Sequence, residues 1–206
     1  MAATVDEPIV FVIEDDLITR EALSSLFRSV SLQVAAFASA TDLFEHALPP
    51  VPSCLVLDVR LPKLGGFDVQ AELSRRGIEM PIIFISGYGD IAMSVQAIKA
   101  GAVDFLTKPF RDQEILDAVA DALKRDRERR AENHSKANVS ARFATLTPRE
   151  REIMLLVVKG LMNKEVARKI GIAEMTVKIH RGNLMRKMNA KSLADLVMIA
   201  ETLGIT

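Results

Sequence analysis

The sequence predicts an α/β domain, a doubly wound five-stranded parallel sheet, joined by a long helix and a linker to an all-α domain of four helices. Three observations carry this. Strand patterns alternate with helical ones from residue 8 to about 131, and no strand pattern follows Leu146. Charge is also split: residues 1–123 hold 9 Lys and Arg against 18 Asp and Glu, and residues 124–206 hold 18 against 9. The expected divisions are a domain over 1–123, a helical extension and linker over 124–143, and a domain over 144–206.

Each element has its own signal. The apolar run Ile9–Ile13 is a buried strand, followed by a helix with Leu17, Leu23, Leu26, Phe27 and Val30 on one face. A short strand at Gln33–Phe37 precedes a helix opened by Ser39 or Thr41. The run Cys54–Asp58 is the third strand, and Gly65-Gly66 breaks the chain before a helix with Phe67, Val69 and Leu73. Pro81 can start the fourth strand because a first-position proline costs no ladder bond. A helix over 90–100 ends at Gly101, where a left-handed cap suits glycine. Strand 103–106 and a helix from about 112 complete five βα units. That helix continues into the charged run 124–130, where i,i+3 and i,i+4 pairs support a solvated helix. Residues 133–138 lack an apolar period and read as a linker.

Beyond Leu146, Thr147-Pro148-Arg149-Glu150 supplies an N-cap, a first-turn proline and a capping-box acid. Gly160 stops that helix, Asn163 caps a second closed by Gly171, a third starts near Ala173, and Ser192 caps a fourth. Two short helices around a glycine turn in a basic, all-helical domain indicate a helix-turn-helix.

Composition narrows the function. A single cysteine, Cys54, sits inside an apolar strand, so no disulfide framework or thiolate metal cluster is available and its expected role is core packing. No apolar stretch approaches the ~18–20 residues of a membrane span, and Met1–Glu7 lacks the basic and apolar regions of a secretory signal, so a cytoplasmic protein is expected. The basic half suggests a polyanionic partner, most plausibly nucleic acid.

Chemistry gathers at the strand ends. The first strand delivers Glu14, Asp15 and Asp16, the third Asp58, the fourth Ser86, and the fifth Thr107, Lys108 and Pro109. Open α/β sheets bind ligands in the crevice beyond their carboxyl ends. Clustered carboxylates must share protons or bind a cation, and Mg2+ takes such hard oxygens together with phosphate. Asp58 then has the makings of a nucleophile that accepts a phosphoryl group, with Ser86 and Lys108 stabilising its oxygens. The bland alternative, acids favoured at helix N-termini, suffices for Asp16 alone.

In these residues, 8–123 resembles a receiver domain of a two-component response regulator, and the sheet would then be flavodoxin-like. The resemblance implies Glu14 and Asp15 as the acidic pair, Asp58 as phosphoacceptor, Ser86 as switch hydroxyl, Phe105 as switch aromatic and Lys108-Pro109 as the basic turn, with a cis bond. Asp15, Asp58 and the Arg60 carbonyl would ligate Mg2+, and Glu14 would act through a water. Phosphorylation would draw Ser86 inward, let Phe105 turn behind it, and remodel the face made by helix 90–100, strand 103–106 and the last helix. Glu14 stands where aspartate is commoner and Ser86 where threonine is. Tyr88 is bulky enough to shield the phosphate, which makes slow autodephosphorylation an expectation.

Residues 146–206 resemble the LuxR-type helix-turn-helix of the NarL/FixJ family through Leu146–Glu150, Asn163–Ala167 and Thr176–His180, with a FixJ-like subgroup as the nearest pattern. The third helix would enter the major groove of double-stranded DNA. With Val177, Leu184 and Met188 inward, Lys178, Ile179, Gly182, Asn183 and Arg186 face out. Lys178 and Ile179 are the candidate base contacts, and Lys164, Thr176, Arg181 and Lys187 the phosphate contacts. Gly182 permits close approach, and His180 packs or meets a phosphate.

The expectation is a transcription factor phosphorylated on Asp58 by a sensor histidine kinase. It would form a homodimer on phosphorylation and activate transcription, with RNA polymerase as a further partner. An aspartyl phosphatase would need a second acid two residues after its nucleophile, where Arg60 stands, so no turnover enzyme is expected. The alternative class is a phosphorylation-dependent adaptor or RNA-binding regulator.

Overall fold

The computed structural model describes residues 7–87 and 91–205. Two compact units divide at Arg130 and Ala131. In the first, β1 (Ile9–Ile13), β2 (Gln33–Phe37), β3 (Ser53–Asp58), β4 (Ile82–Ser86) and β5 (Asp104–Thr107) form one parallel sheet in the order β2-β1-β3-β4-β5. Helices α1 (Leu17–Ser29), α2 (Ala40–Glu45), α3 (Gly66–Arg75), α4 (Ile91–Lys99) and α5 (Asp112–Ala144) connect the strands and leave the last of them. Strands β1, β3 and β4 are apolar because both their faces are covered. On one face Phe11, Leu55, Leu57 and Phe84 join Val69 and Leu73; on the other Val10, Val56 and Ile83 join Phe27, Ile115 and Val119. Register places Asp58 beside Ile85 and Ser86 beside Thr107, so the polar residues finish at one edge of the sheet. Order reverses between β1 and β3, which opens a crevice there.

The local signals are realised, with one alternative settled and two expectations corrected, at residues 133–138 and at Asn163. Ser39, not Thr41, caps α2 by accepting from the Asp42 amide. Residues 133–138, expected as a linker, are helical: α5 runs unbroken for 33 residues. Its far end is stabilised by a Lys136–Glu132 pair at 2.7 Å, an Asn138–His134 hydrogen bond at 3.1 Å, and packing of Val139 and Phe143 on the second unit's core. An apolar period is absent from 133–138 because the apolar anchors come one turn later.

The second unit adds α6 (Pro148–Val157), α7 (Asn163–Ile170), α8 (Glu174–Met188) and α9 (Leu193–Thr202) around Leu146, Ile153, Met154, Val157, Val166, Val177, Leu184, Met188 and Leu196. Thr147 and Glu150 form a reciprocal capping box on α6, and Ser192 and Asp195 form one on α9. Met162, rather than Asn163, is the N-cap of α7. Its amide donates to Glu165 Oε2 at 2.8 Å, while Asn163 accepts from Arg181 of α8 at 2.9 Å. Gly171 closes α7 at φ 68°, a left-handed conformation suited to glycine.

Candidate phosphoacceptor site and nucleic-acid interface

At the carboxyl edge of the sheet the fold assembles Glu14 after β1, Asp58 ending β3, Ser86 ending β4 and Lys108 after β5. The Lys108 ammonium donates to Glu14 Oε2 at 2.5 Å and to Asp58 Oδ2 at 2.7 Å. Asp58 Oδ1 accepts the Arg60 amide at 2.9 Å, which fixes the carboxylate's orientation. Glu14 is only 1% exposed and Asp58 6%, whereas Asp15 is solvent-exposed. Carboxylate oxygens of Glu14, Asp15 and Asp58 lie within 4.8 Å of one another, the grouping among the described residues able to hold a metal. Burial raises the Glu14 pKa above the ordinary range, and Asp58 adds to this against the opposing Lys108 hydrogen bond. For Lys108 burial pulls the pKa down, yet hydrogen bonds to Asp58 and Glu14 leave it raised overall, so the ammonium stays charged.

Of the remaining receiver candidates, Ser86 lies at the same edge and Phe105 two residues short of it, beside Phe84. Ser86 is fully buried and its carbonyl accepts the Lys108 amide at 2.7 Å, and the Lys108–Pro109 bond that follows is cis. Phe105 is half-buried, with its ring 6.4 Å from Phe84 and tilted by 40°. Asp16 stands apart from the cluster: it caps α1 through Thr19. Tyr88 lies outside the described residues.

Two contributors escaped sequence reasoning. Arg20 donates to the carbonyls of Glu14 at 2.6 Å and Asp15 at 3.1 Å, steadying the acidic turn. A single arginine on a helix gives no sequence signal of that aim. Gly66 is required by packing: a Cβ there would lie 2.6 Å from the Asp58 carbonyl and 2.9 Å from Val59 Cα. The Gly65-Gly66 pair signals a chain break but not this approach.

In the second unit α7, the Gly171 turn and α8 form the helix-turn-helix. Lys164, Lys178, Ile179, Gly182 and Arg186 are exposed, and Thr176, His180, Arg181, Asn183 and Lys187 are partly so. Arg186 donates to Asn183 at 2.9 Å along α8. Lys187, expected at a phosphate, is engaged inside the domain: it donates to the buried Glu150 at 2.7 Å and to the Thr145 carbonyl at 3.1 Å. Arg149 likewise holds the Ile170 carbonyl that ends α7, at 2.9 Å.

Family models match on both units: a response regulator receiver domain over residues 10–120 and the luxR family of bacterial regulatory proteins over residues 144–200. The chain is a response regulator of the NarL/FixJ family. This response regulator is 59% identical to Nodulation protein W of Bradyrhizobium diazoefficiens over 96% of its own length and 87% of that protein. It is 45% identical to the response regulator protein TodT of Pseudomonas putida, over 95% of this chain and 86% of the relative. Among solved structures it resembles the response regulator StyR, with a TM-score of 0.87 at 44% identity, covering 95% of this chain and 98% of the other. Full-length FixJ from B. japonicum matches with a TM-score of 0.57 at 33% identity, covering 98% and 99%. The receiver implies a histidine kinase partner and the LuxR-type domain implies DNA binding, as befits a transcriptional regulator. No helix among the described residues is long and apolar enough to cross a membrane.

Proposed function

We propose that Asp58 accepts a phosphoryl group from a sensor histidine kinase and that its modification switches dimerisation and DNA binding, most directly to activate transcription. The carrying observation is the Lys108 ammonium bridging Glu14 and Asp58 at the strand ends. Asp58 is oriented by the Arg60 amide, leaving the other oxygen on the Lys108 side. When phosphoryl arrives, Lys108 can exchange Asp58 for a phosphoryl oxygen while Ser86 supplies a hydroxyl, and Phe105 turns into the space behind it.

The acidic set fits a divalent cation. Three carboxylates against one ammonium carry a formal charge of about −2, and Arg20 gives its donors to backbone carbonyls rather than to those carboxylates. Asp15, Asp58 and the Arg60 carbonyl would hold Mg2+, with Glu14 behind a water. When bound, Mg2+ neutralises charge on the transferring phosphoryl group. The protein is then a phosphoacceptor and not a turnover enzyme.

Helix α4 offers Ile91, Val95 and Ile98, all exposed and spaced along one face, as part of the surface that would pair two phosphorylated receivers. In the second unit, α8 would enter the major groove with Lys178 and Ile179 at bases. Lys164, Thr176 and Arg181 would lie at phosphates, with Asn183 and Arg186 beside them and Lys187 reaching the backbone only by leaving Glu150. RNA polymerase is the further partner that activation would involve.

The test is incubation of the full chain with Mg2+ and a small acyl phosphate, followed by mass spectrometry, gel filtration and binding to duplexes selected from random sequence. The wild type should gain one phosphoryl group on Asp58, dimerise and bind DNA more tightly. Asp58→Asn should show none of the three changes while keeping basal DNA binding. Phosphate uptake undiminished in Asp58→Asn, or preference for RNA over the duplex, would overturn this reading.

A further inference from the structure

Two large apolar side chains are exposed on α8, the helix offered to a polyanion. Met175 is 66% exposed and Ile179 59% exposed, and their i,i+4 spacing puts them one above the other. One turn on, Gly182 is exposed, with open space where a Cβ would stand. The stripe Met175–Ile179–Gly182 therefore has no side-chain hydrogen-bond donor and no acceptor stronger than a thioether. Core packing does not account for the two exposed chains, since Val177, Leu184 and Met188 fill that role from the opposite face.

Beside the stripe on α8, Lys178 and Arg186 are exposed, as is one acid, Glu174, in the first turn; Lys164 on α7 is a further exposed cation. Lys164 and Arg186 are the charge that a phosphate backbone beside the groove would meet, while Lys178 accompanies Ile179 at the base edges. Apolar in the middle and basic at the flanks matches a duplex major groove, where the apolar feature of a base edge is the thymine 5-methyl group.

We infer that Met175 and Ile179 set sequence specificity by packing on pyrimidine 5-methyl groups, with thymine as the ligand and Met175 as a specificity residue that charge-based reasoning passes over. This deepens, and rests on, the proposal that α8 is the DNA-facing helix. The two side chains differ in what they tolerate. Ile179 is β-branched and stiff, so it demands one methyl position, whereas the unbranched Met175 adapts to several. Their Cα atoms are about 6 Å apart along the helix axis. That is close to two base-pair steps of about 3.4 Å, so two thymines one or two positions apart should be read in each half-site.

The test uses the full chain, treated with Mg2+ and an acyl phosphate, on its best selected duplex. Each thymine is replaced in turn by deoxyuridine, which removes only the methyl group. Removal of one contacted methyl should weaken binding about three- to fivefold at two neighbouring thymines per half-site. In Met175→Ala the penalty should vanish at one of them, in Ile179→Ala at the other, and Ile179→Val should retain most of its own. Both residues are exposed, so the variants should melt with the wild type. Where cytosine replaces a contacted thymine, 5-methylcytosine should bind more tightly than cytosine by a similar factor. Sequence-specific binding with a flat uridine scan, or penalties unchanged in both alanine variants, would overturn the inference while sparing α8 as the reading helix. Absence of duplex binding would overturn both.

Discussion

Each unit of this protein sets a lysine against buried acid from a distant segment, and the two settings differ in stoichiometry. In the tail, Lys187 serves one carboxylate: Glu150, 2.7 Å away, also accepts the Thr147 amide at 2.8 Å, and Lys187 itself reaches the Thr145 carbonyl. Burial works against the Glu150 charge, but Lys187 and Thr147 outweigh it and its pKa is lowered. In the receiver, Lys108 serves two carboxylates, a third lies beside them, and Glu14 ends with a raised pKa. A matched pair holds a fold together. An ammonium shared by too many acids leaves a deficit of positive charge, and that deficit is what a cation or a new anion-binding arrangement can act upon.

Removing each lysine should separate the two settings most clearly. Lys108→Met leaves Glu14 and Asp58 buried without their shared counter-charge. In a chelator at neutral pH, thermal or urea denaturation should show a loss of about 2–4 kcal/mol. Millimolar Mg2+ should recover much of it, because a ligand that binds only the folded state stabilises it by mass action. Lys187→Met should cost less, about 1–3 kcal/mol, since Glu150 keeps its capping amide. Mg2+ should restore none of that loss. Equal rescue of both variants would dissolve the distinction.

The opposite change sharpens it further. Glu14→Gln relieves the crowding while keeping shape, so the metal-free receiver should gain about 1 kcal/mol as its Mg2+ affinity falls. Glu150→Gln should instead destabilise the tail by about 1 kcal/mol, because it weakens a satisfied charge-assisted pair. Paired melting curves with and without Mg2+ decide both. A Glu14→Gln receiver less stable than wild type in chelator would mean that its charge is fully compensated.

How much of this was legible in the sequence follows from the range of the interactions. Strand ends are local: an apolar run stops, and the next residue is Asp58, Ser86 or, two on, Lys108. Their convergence follows once the sheet is parallel. Caps are equally local, so Thr147, Ser192 and Gly171 stand where the pattern puts them. What the pattern lacks is aim. Lys187 shares α8 with the exposed cations Lys178 and Arg186, but it sits one residue before the buried Met188 and bends toward Glu150. Asp126 lies in a charged run that reads as solvated, yet it is fully buried, accepting the Ser53 amide and pairing with Arg129 and Arg130. Residues 133–138 look like a linker because their support is i,i+4 polar pairs and the anchors Val139 and Phe143 just beyond. Side-chain partners 37 or 73 residues away leave no periodic trace.

Acid offers the finest test, because the two settings titrate with opposite sign. Glu150 has a folded-state pKa below the ordinary glutamate value of 4.5, so its contribution is complete above 4.5 and is withdrawn as pH falls through the lowered folded value. Glu14 is raised, so protonation removes a cost and withdraws no support. Other carboxylates such as Glu72, Glu114, Glu132 and Asp195 are also lowered and add to any overall acid sensitivity. A difference measurement cancels them. The stability gap between wild type and Lys187→Met, followed by hydrogen exchange of α6 amides, should be largest near neutral pH, where Glu150 is charged in both proteins. It should narrow by up to about 1 kcal/mol on acidification, because Glu150 buried without its lysine takes up its proton at a higher pH than in wild type. A gap that stays constant on acidification would mean that Lys187 stabilises the tail through its packing and the Thr145 carbonyl, and that the ion pair contributes little.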